Sequence, residues 1–143
     1  MKNIILILIT TTIVSLSSTI SKAQSGAIEY TSIMKTLNYY LVGGTNNDFS
    51  MLEKAFHPNA TMKFISAEGY KEVNAVQFFK KGIKPGPPQN RETKIVSIDI
   101  TGRAAQAKLT IKYETFTFYD YMNLLKIDGE WKIANKIFCK SNN

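Results

Sequence analysis

The chain has one cysteine, one histidine and one tryptophan in 143 residues: Cys139, His57 and Trp131. A single cysteine excludes an internal disulfide, so the fold rests on packing or on a partner. Cys139 is expected as a half-buried strand residue, the alternative being one end of an intermolecular disulfide. His57 and Cys139 lie far apart in sequence and make neither a zinc site nor a nucleophile and base pair. No metal, no cofactor and no catalytic constellation is expected from these residues. A phosphate loop is missing too, because Gly82 and Gly86 belong to a proline-rich stretch with no helix behind it. Runs of like charge are also scarce. The formal net charge is +7, yet its lysines and arginines are scattered, and the pair Lys80 and Lys81 is no track for a phosphate backbone. Nucleic acid is therefore not an expected partner.

A long apolar run is missing as well. Lys2 precedes the short core Ile4 to Ile9, and serines and threonines dilute the rest up to Ile20. A membrane-spanning helix needs about 20 mostly apolar residues. Ser21 and Ala23 put small residues at the two positions that determine cleavage, which completes the pattern of a secretory signal peptide over residues 1–23. The product would begin at Gln24, exported to the periplasm or secreted, without a membrane anchor. No cysteine stands at the cleavage point to carry a lipid. Residues 24–143 suffice for a single domain and are too few for two.

What is present is a pattern of helices followed by strands. Tyr30, Ile33, Leu37, Tyr40 or Leu41 and Gly44 form one helical stripe, predicting a helix from Ser25 to about Val42 that ends at Gly43 and Gly44. Asp48 caps a short second helix with Leu52, Ala55 and Phe56 on one side, which His57 and Pro58 stop. Thr61–Ile65 and Tyr70–Val73 form a hairpin. Asn74 with Gln77 opens a third helix, and the loop Lys84–Asn90 holds three of the four prolines, marking a mobile rim. Val96, Ile98 and Ile100 alternate in one strand, and Ala105, Ala107, Leu109, Ile111 and Tyr113 in the next. Phe116 and Phe118 then fall out of phase, which predicts a β-bulge near Glu114 and Thr115. At Asp128 and Gly129 a turn with a left-handed bulge, pairing Lys126 with Glu130 and Leu125 with Trp131, is preferred over a two-residue turn. The last strand would show Trp131, Ile133, Asn135, Ile137 and Cys139 on one face, and Lys132, Ala134, Lys136, Phe138 and Lys140 on the other. The sum is an α+β arrangement with three helices on a mostly antiparallel sheet.

The run Tyr40, Asn47, Asp48 and Phe56 to Thr61 resembles the opening of the nuclear transport factor 2-like superfamily, which includes ketosteroid isomerase. Phe56 to Met62, Ser97 to Ala107 and Asp120 to Phe138 resemble most its exported bacterial branch, labelled "putative lumazine-binding". The resemblance spans nearly all of residues 24–143. It implies a cone-shaped curved sheet of cystatin-like form wrapped by helices, with an apolar pocket between the first helix and the sheet. In the isomerase relatives a tyrosine of helix one helps form an oxyanion hole, and an aspartate at the end of the first strand is the base. Those positions correspond to Tyr40 and Phe64. A phenyl ring accepts no proton, so isomerase chemistry is not expected.

Tyr40, Phe64, Tyr113, Phe116 and Trp131 are the candidate pocket residues, suited to stacking on a small apolar or heteroaromatic ligand. The same aromatics would equally serve a small core. Phe118 shares their pattern. Three readings follow: an exported small-molecule-binding protein, a dehydratase- or cyclase-type enzyme using Tyr40 with an inward carboxylate such as Asp99 or Asp120, and a homodimeric interaction module pairing through its sheet. A carboxylate within reach of Tyr40 separates the second from the first.

Overall fold

The computed structural model describes the side chains of Gln24 to Asn143 and divides the chain into two compact units, Met1–Thr31 and Ser32–Asn143. The expected signal peptide, residues 1–23, lies outside those described residues. The helix α1 is assigned from Lys2 to Thr45, and within the first unit the Thr31 hydroxyl donates to the Ala27 carbonyl at 2.9 Å. Among the described residues no helix is long and apolar enough to cross a membrane.

The second unit carries the rest of α1, then α2 (Phe49–Leu52), a 3-10 turn (Glu53–Ala55), β1 (Phe56–Ser66), β2 (Gly69–Asn74), α3 (Ala75–Gly82), β3 (Glu92–Thr101), β4 (Ala104–Lys112), β5 (Phe116–Ile127) and β6 (Glu130–Asn142). The strands form one curled sheet in the order β2-β1-β6-β5-β4-β3. All neighbours are antiparallel except β1 and β6. Ile33, Leu37, Tyr40 and Leu41 of α1 sink into a core shared with Leu109, Ile111, Met122, Leu124 and Ile133 of the sheet. This is the α+β class that the periodicities predict.

Local chemistry explains most boundaries. The Asp48 carboxylate accepts from Met51 N at 2.9 Å and starts α2, as the Asn74 side chain accepts from Gln77 N at 2.9 Å to start α3. Gly43 and Gly44, in contrast, do not end α1, which continues to Thr45. Their role is close approach: a Cβ on Gly43 would lie 2.6 Å from Leu52 N, and one on Gly44 would lie 2.5 Å from Arg91 Nη2. The chain leaves the helix through Asn47, whose φ is 55°, a conformation asparagine tolerates better than most residues. His57 and Pro58 do not stop a helix, since β1 already begins at Phe56. They fall in its irregular opening, where pairing with β6 shifts between Phe56 and Thr61.

Three further corrections concern strand phase. The slip before Phe116 is no bulge; it is the turn between β4 and β5, with Lys112 opposite Thr117 and Tyr113 N bonded to Phe116 O at 2.8 Å. The irregularity falls in β3 instead, between Ile95 and Ser97, and turns Val96 outward at 46% exposure while Ile95, Ile98 and Ile100 pack on the core. At the last hairpin Asp128 and Gly129 both have positive φ, 49° and 85°, and Lys126 pairs with Trp131. This is the two-residue turn, whose twist matches the flanking strands. The apolar register that it gives up returns further on, where a shift between Asn123 and Leu124 sets Leu124 against Ile133 and Asn123 against Asn135. That shift leaves Ala134 as the extra residue and reverses the inward face of β6 beyond it.

Candidate functional site

Reversal of β6 brings a lysine into the interior. Trp131 and Ile133 are buried before the shift, and Lys136, at 4% exposure, is buried after it. Ile137, expected on the face of Trp131 and Ile133, and Cys139, expected on that face and half-buried, are exposed. Lys136 meets Asp120 of β5, which is fully buried, and Tyr40 of α1. The Tyr40 hydroxyl donates to Asp120 Oδ2 at 2.7 Å, and Lys136 Nζ donates to the Tyr40 oxygen at 3.1 Å. The ammonium forms an ion pair with Asp120 Oδ1, which has no other partner. Burial, reinforced by the neighbouring carboxylate and its hydrogen bond, holds the Tyr40 hydroxyl well above the usual phenol range. Burial pulls the Lys136 ammonium below the usual lysine range, with the Asp120 charge opposing.

Beside this triad lies a cavity of about 270 Å3, at the lower edge of ordinary ligand sites. Tyr40 and Lys136 form part of its wall, while Asp120 stays behind them. Phe78 and Phe79 of α3, Phe118 of β5 and Phe138 of β6 supply an aromatic lining, with Met62, Ile83 and Ile111. The Lys136 ammonium lies 4.6 Å from the Phe138 ring centre.

The remaining polar wall comes from the segment after the prolines. Arg91 donates from Nε to Thr45 Oγ1 at 3.0 Å, from Nη1 to the Tyr113 hydroxyl at 2.9 Å and from Nη2 to the Leu41 carbonyl at 3.1 Å. Tyr113 in turn donates to Gln89 Oε1 at 2.5 Å. Gln89 Nε2 donates to the Gly44 carbonyl and to Asn47 Oδ1, and Asn47 Nδ2 donates to the Pro87 carbonyl at 2.7 Å. The loop expected as a mobile rim is thus tied to the end of α1 by a chain of side-chain hydrogen bonds.

Of the five candidate pocket residues, Tyr40 and Tyr113 line the cavity. Phe64 stands one layer back, its ring 4.9 Å from Phe138 and 6.2 Å from Phe78. Phe116 stacks on Tyr113 at 4.7 Å without reaching the cavity. Trp131 is buried beside the turn of α1 that precedes Tyr40, where Thr36 Oγ1 donates to its carbonyl at 2.9 Å. Asp99 is exposed on β3. His57 accepts from Asn59 N at 3.2 Å, a local turn contact outside the cavity. Lys136, Arg91 and Gln89 were missed by the sequence reading. Among the described residues no cluster of three metal-ligating side chains occurs.

A curled α+β sheet with a helix-side cavity defines the nuclear transport factor 2-like class, and solved structures agree. An NTF2-like protein of unknown function from Shewanella baltica OS155 is 28% identical, with TM-score 0.74 over 82% of this chain and 97% of that one. Another from Methylobacillus flagellatus KT is 28% identical, with TM-score 0.70 over 79% and 92%. The association domain of C. elegans CaMKII shares the fold alone, at 14% identity and TM-score 0.64 over 80% and 97%. Within that class, residues 29–139 match the family model described as "Putative lumazine-binding", and the chain belongs to that family. Nothing among curated proteins matches it.

Proposed function

We propose that this chain is an exported binding protein that holds a small, largely apolar or heteroaromatic molecule in the cavity beside Tyr40 and Lys136. The observation that carries the reading is a cavity walled by four phenylalanine rings and furnished with a few fixed polar groups. That combination of apolar bulk and sparse, oriented donors is how small-molecule sites gain affinity and orientation. The family's description as lumazine-binding agrees with a flat heteroaromatic occupant.

A dehydratase- or cyclase-type reading draws on a different observation, the carboxylate of Asp120 at 2.7 Å from Tyr40. Asp120 is wholly buried, however, and both its oxygens face Tyr40 and Lys136. It orients those two groups and does not line the cavity, so any proton exchanged with a ligand would pass through Tyr40 or Lys136. Self-association belongs to the proposal as well, since Val96, Tyr121, Leu125 and Ile137 are exposed on the sheet strands.

Native mass spectrometry of the protein from its host's exported fraction tests all three parts. The expected result is a chain beginning at Gln24, with a small molecule released on denaturation and a dimer in the intact spectrum. An uncleaved chain overturns export, a monomer overturns pairing, and an empty protein that also fails to take up aromatic probes overturns binding.

A further inference from the structure

The charges around the cavity do not balance. Lys136 has Asp120 as its counter-ion. Among the described residues Arg91 has none: its partners are the Leu41 carbonyl, the Thr45 hydroxyl and the Tyr113 hydroxyl, all neutral. The carbonyl end of α1 offsets about half a charge at most. A guanidinium has five N–H donors, of which these bonds use three, and an ammonium has three, of which Asp120 and Tyr40 use two. Arg91 and Lys136 both line the cavity, and the Arg91 charge is felt at Tyr40 and Lys136 alike. The cavity therefore presents unused cationic donors, a net positive wall and no carboxylate of its own.

We infer that the molecule held in this cavity is an anion, an aromatic or unsaturated ring acid whose carboxylate or enolate is gripped by Arg91, with the ring among the phenylalanines. The inference rests on the binding reading above and adds the ligand's charge. Arg91 is suited to the task because its other bonds fix the plane of the guanidinium before a ligand arrives, so little side-chain freedom is lost on binding. Lys136 supplies a second donor to the same anion. Asp120 keeps that lysine in place and neutralises it, so the net positive charge of the wall is that of Arg91. A cationic ligand of the same shape would meet the Arg91 charge with no acid in the cavity lining to compensate it.

The test uses matched acids and amides that differ in charge and scarcely in shape: benzoate with benzamide and 2-naphthoate with 2-naphthamide, titrated calorimetrically into the purified protein at neutral pH. At least one acid is expected to bind about tenfold or more tighter than its amide, the worth of one charge-assisted hydrogen bond. In Arg91→Gln the ratio of acid to amide affinity should fall well below its wild-type value, leaving only the share of the Lys136 donor. Should that variant melt early because its bonds to α1 are lost, Gly44→Ala serves instead, since the added methyl occupies the place of Arg91 Nη2. Equal binding of acid and amide overturns the anion inference and leaves the cavity a ligand site. A preference undiminished in both variants removes Arg91 from the grip. Binding of none of the four compounds overturns the ligand site itself, and this inference with it.

Discussion

The two ends of the interior are built from the same helix and the same strand, and they differ in almost everything else. At one end Ile33 and Leu37 of α1 belong with Trp131 and Ile133 of β6 to the buried apolar core, and Thr36 Oγ1 bonds the Trp131 carbonyl. At the other, Tyr40 and Gly44 of α1 and Lys136 and Phe138 of β6 border a cavity. The change happens at Ala134, where one extra residue in β6 turns a strand that would bury Asn135 and Ile137 into one that buries Lys136. A filled core and a site capable of chemistry thus lie a few residues apart, separated by a register shift and not by a change of element.

The most severe way to break that contrast is to make the cavity end apolar on one side only. Lys136→Met leaves the Asp120 carboxylate buried without its cation, and a stability loss of about 3–5 kcal/mol is expected by denaturant unfolding. Adding Asp120→Asn removes the orphaned charge, so the double variant should recover part of that loss. A double variant as unstable as the sum of the two singles would show that the pair does not act as a unit.

Tyr40→Phe is expected to cost less, about 1.5–3 kcal/mol, chiefly for the hydrogen bond donated to the Asp120 carboxylate, since Lys136 keeps its ion pair when the bond to the Tyr40 oxygen is lost. Its pH dependence carries a sign. The folded-state value of Tyr40 is raised above its unfolded value, so the folded state holds its proton where the unfolded state gives it up. The Tyr40 contribution is therefore complete below pH 10 or so, the ordinary phenol value, and is lost as pH rises toward the folded value. The gap between wild type and Tyr40→Phe should narrow in alkaline buffer. A gap that stays constant to high pH would place the hydroxyl in an environment no different from water.

The fold was largely legible because its signals are local. The buried stripe of α1, the caps at Asp48 and Asn74 and the alternation in β4 each depend on residues within a turn or two. The α+β class followed from them, whereas the branch and the site position of Tyr40 came from the family resemblance of the runs Phe56 to Met62, Ser97 to Ala107 and Asp120 to Phe138. The cavity's polar wall was not legible, since it depends on strand phase. Lys136 reads as an outward residue for as long as β6 keeps a strict period of two, and only the partner strand shows where that period slips. Asp120 was named as one of two inward carboxylates, and which of them faces inward is again a matter of register. Arg91 follows a proline-rich loop and carries no sequence signal for a cavity. Its one trace is Gly44, which was read as a helix stop although it makes room for a guanidinium.

The two neighbouring glycines sharpen the comparison at a smaller scale. Gly43→Ala would press a methyl against the Leu52 backbone, which cannot yield, and a loss of about 1–3 kcal/mol is expected. Gly44→Ala meets the far end of a side chain, and the gain in helix propensity of up to about 1 kcal/mol offsets the displacement. Thermal melts should therefore separate two chemically identical changes at adjacent positions. Equal losses at both would mean that Arg91 is as immovable as backbone.

The smallest expected effect tests strand phase itself. By simple alternation Val96 belongs with Ile98 and Ile100 on the core side, and placing a hydroxyl there would cost about 1–3 kcal/mol by mutational measure. With the irregularity between Ile95 and Ser97, Val96 faces outward while Ile95 takes its place against Leu109. Val96→Thr is then a surface change, expected within about 0.5 kcal/mol of wild type, whereas Ile95→Thr should cost several times more. The reverse order in denaturant unfolding would restore the uninterrupted strand. A β3 strand without its irregularity would also change which of its residues stand opposite β4, and with them the edge of the sheet.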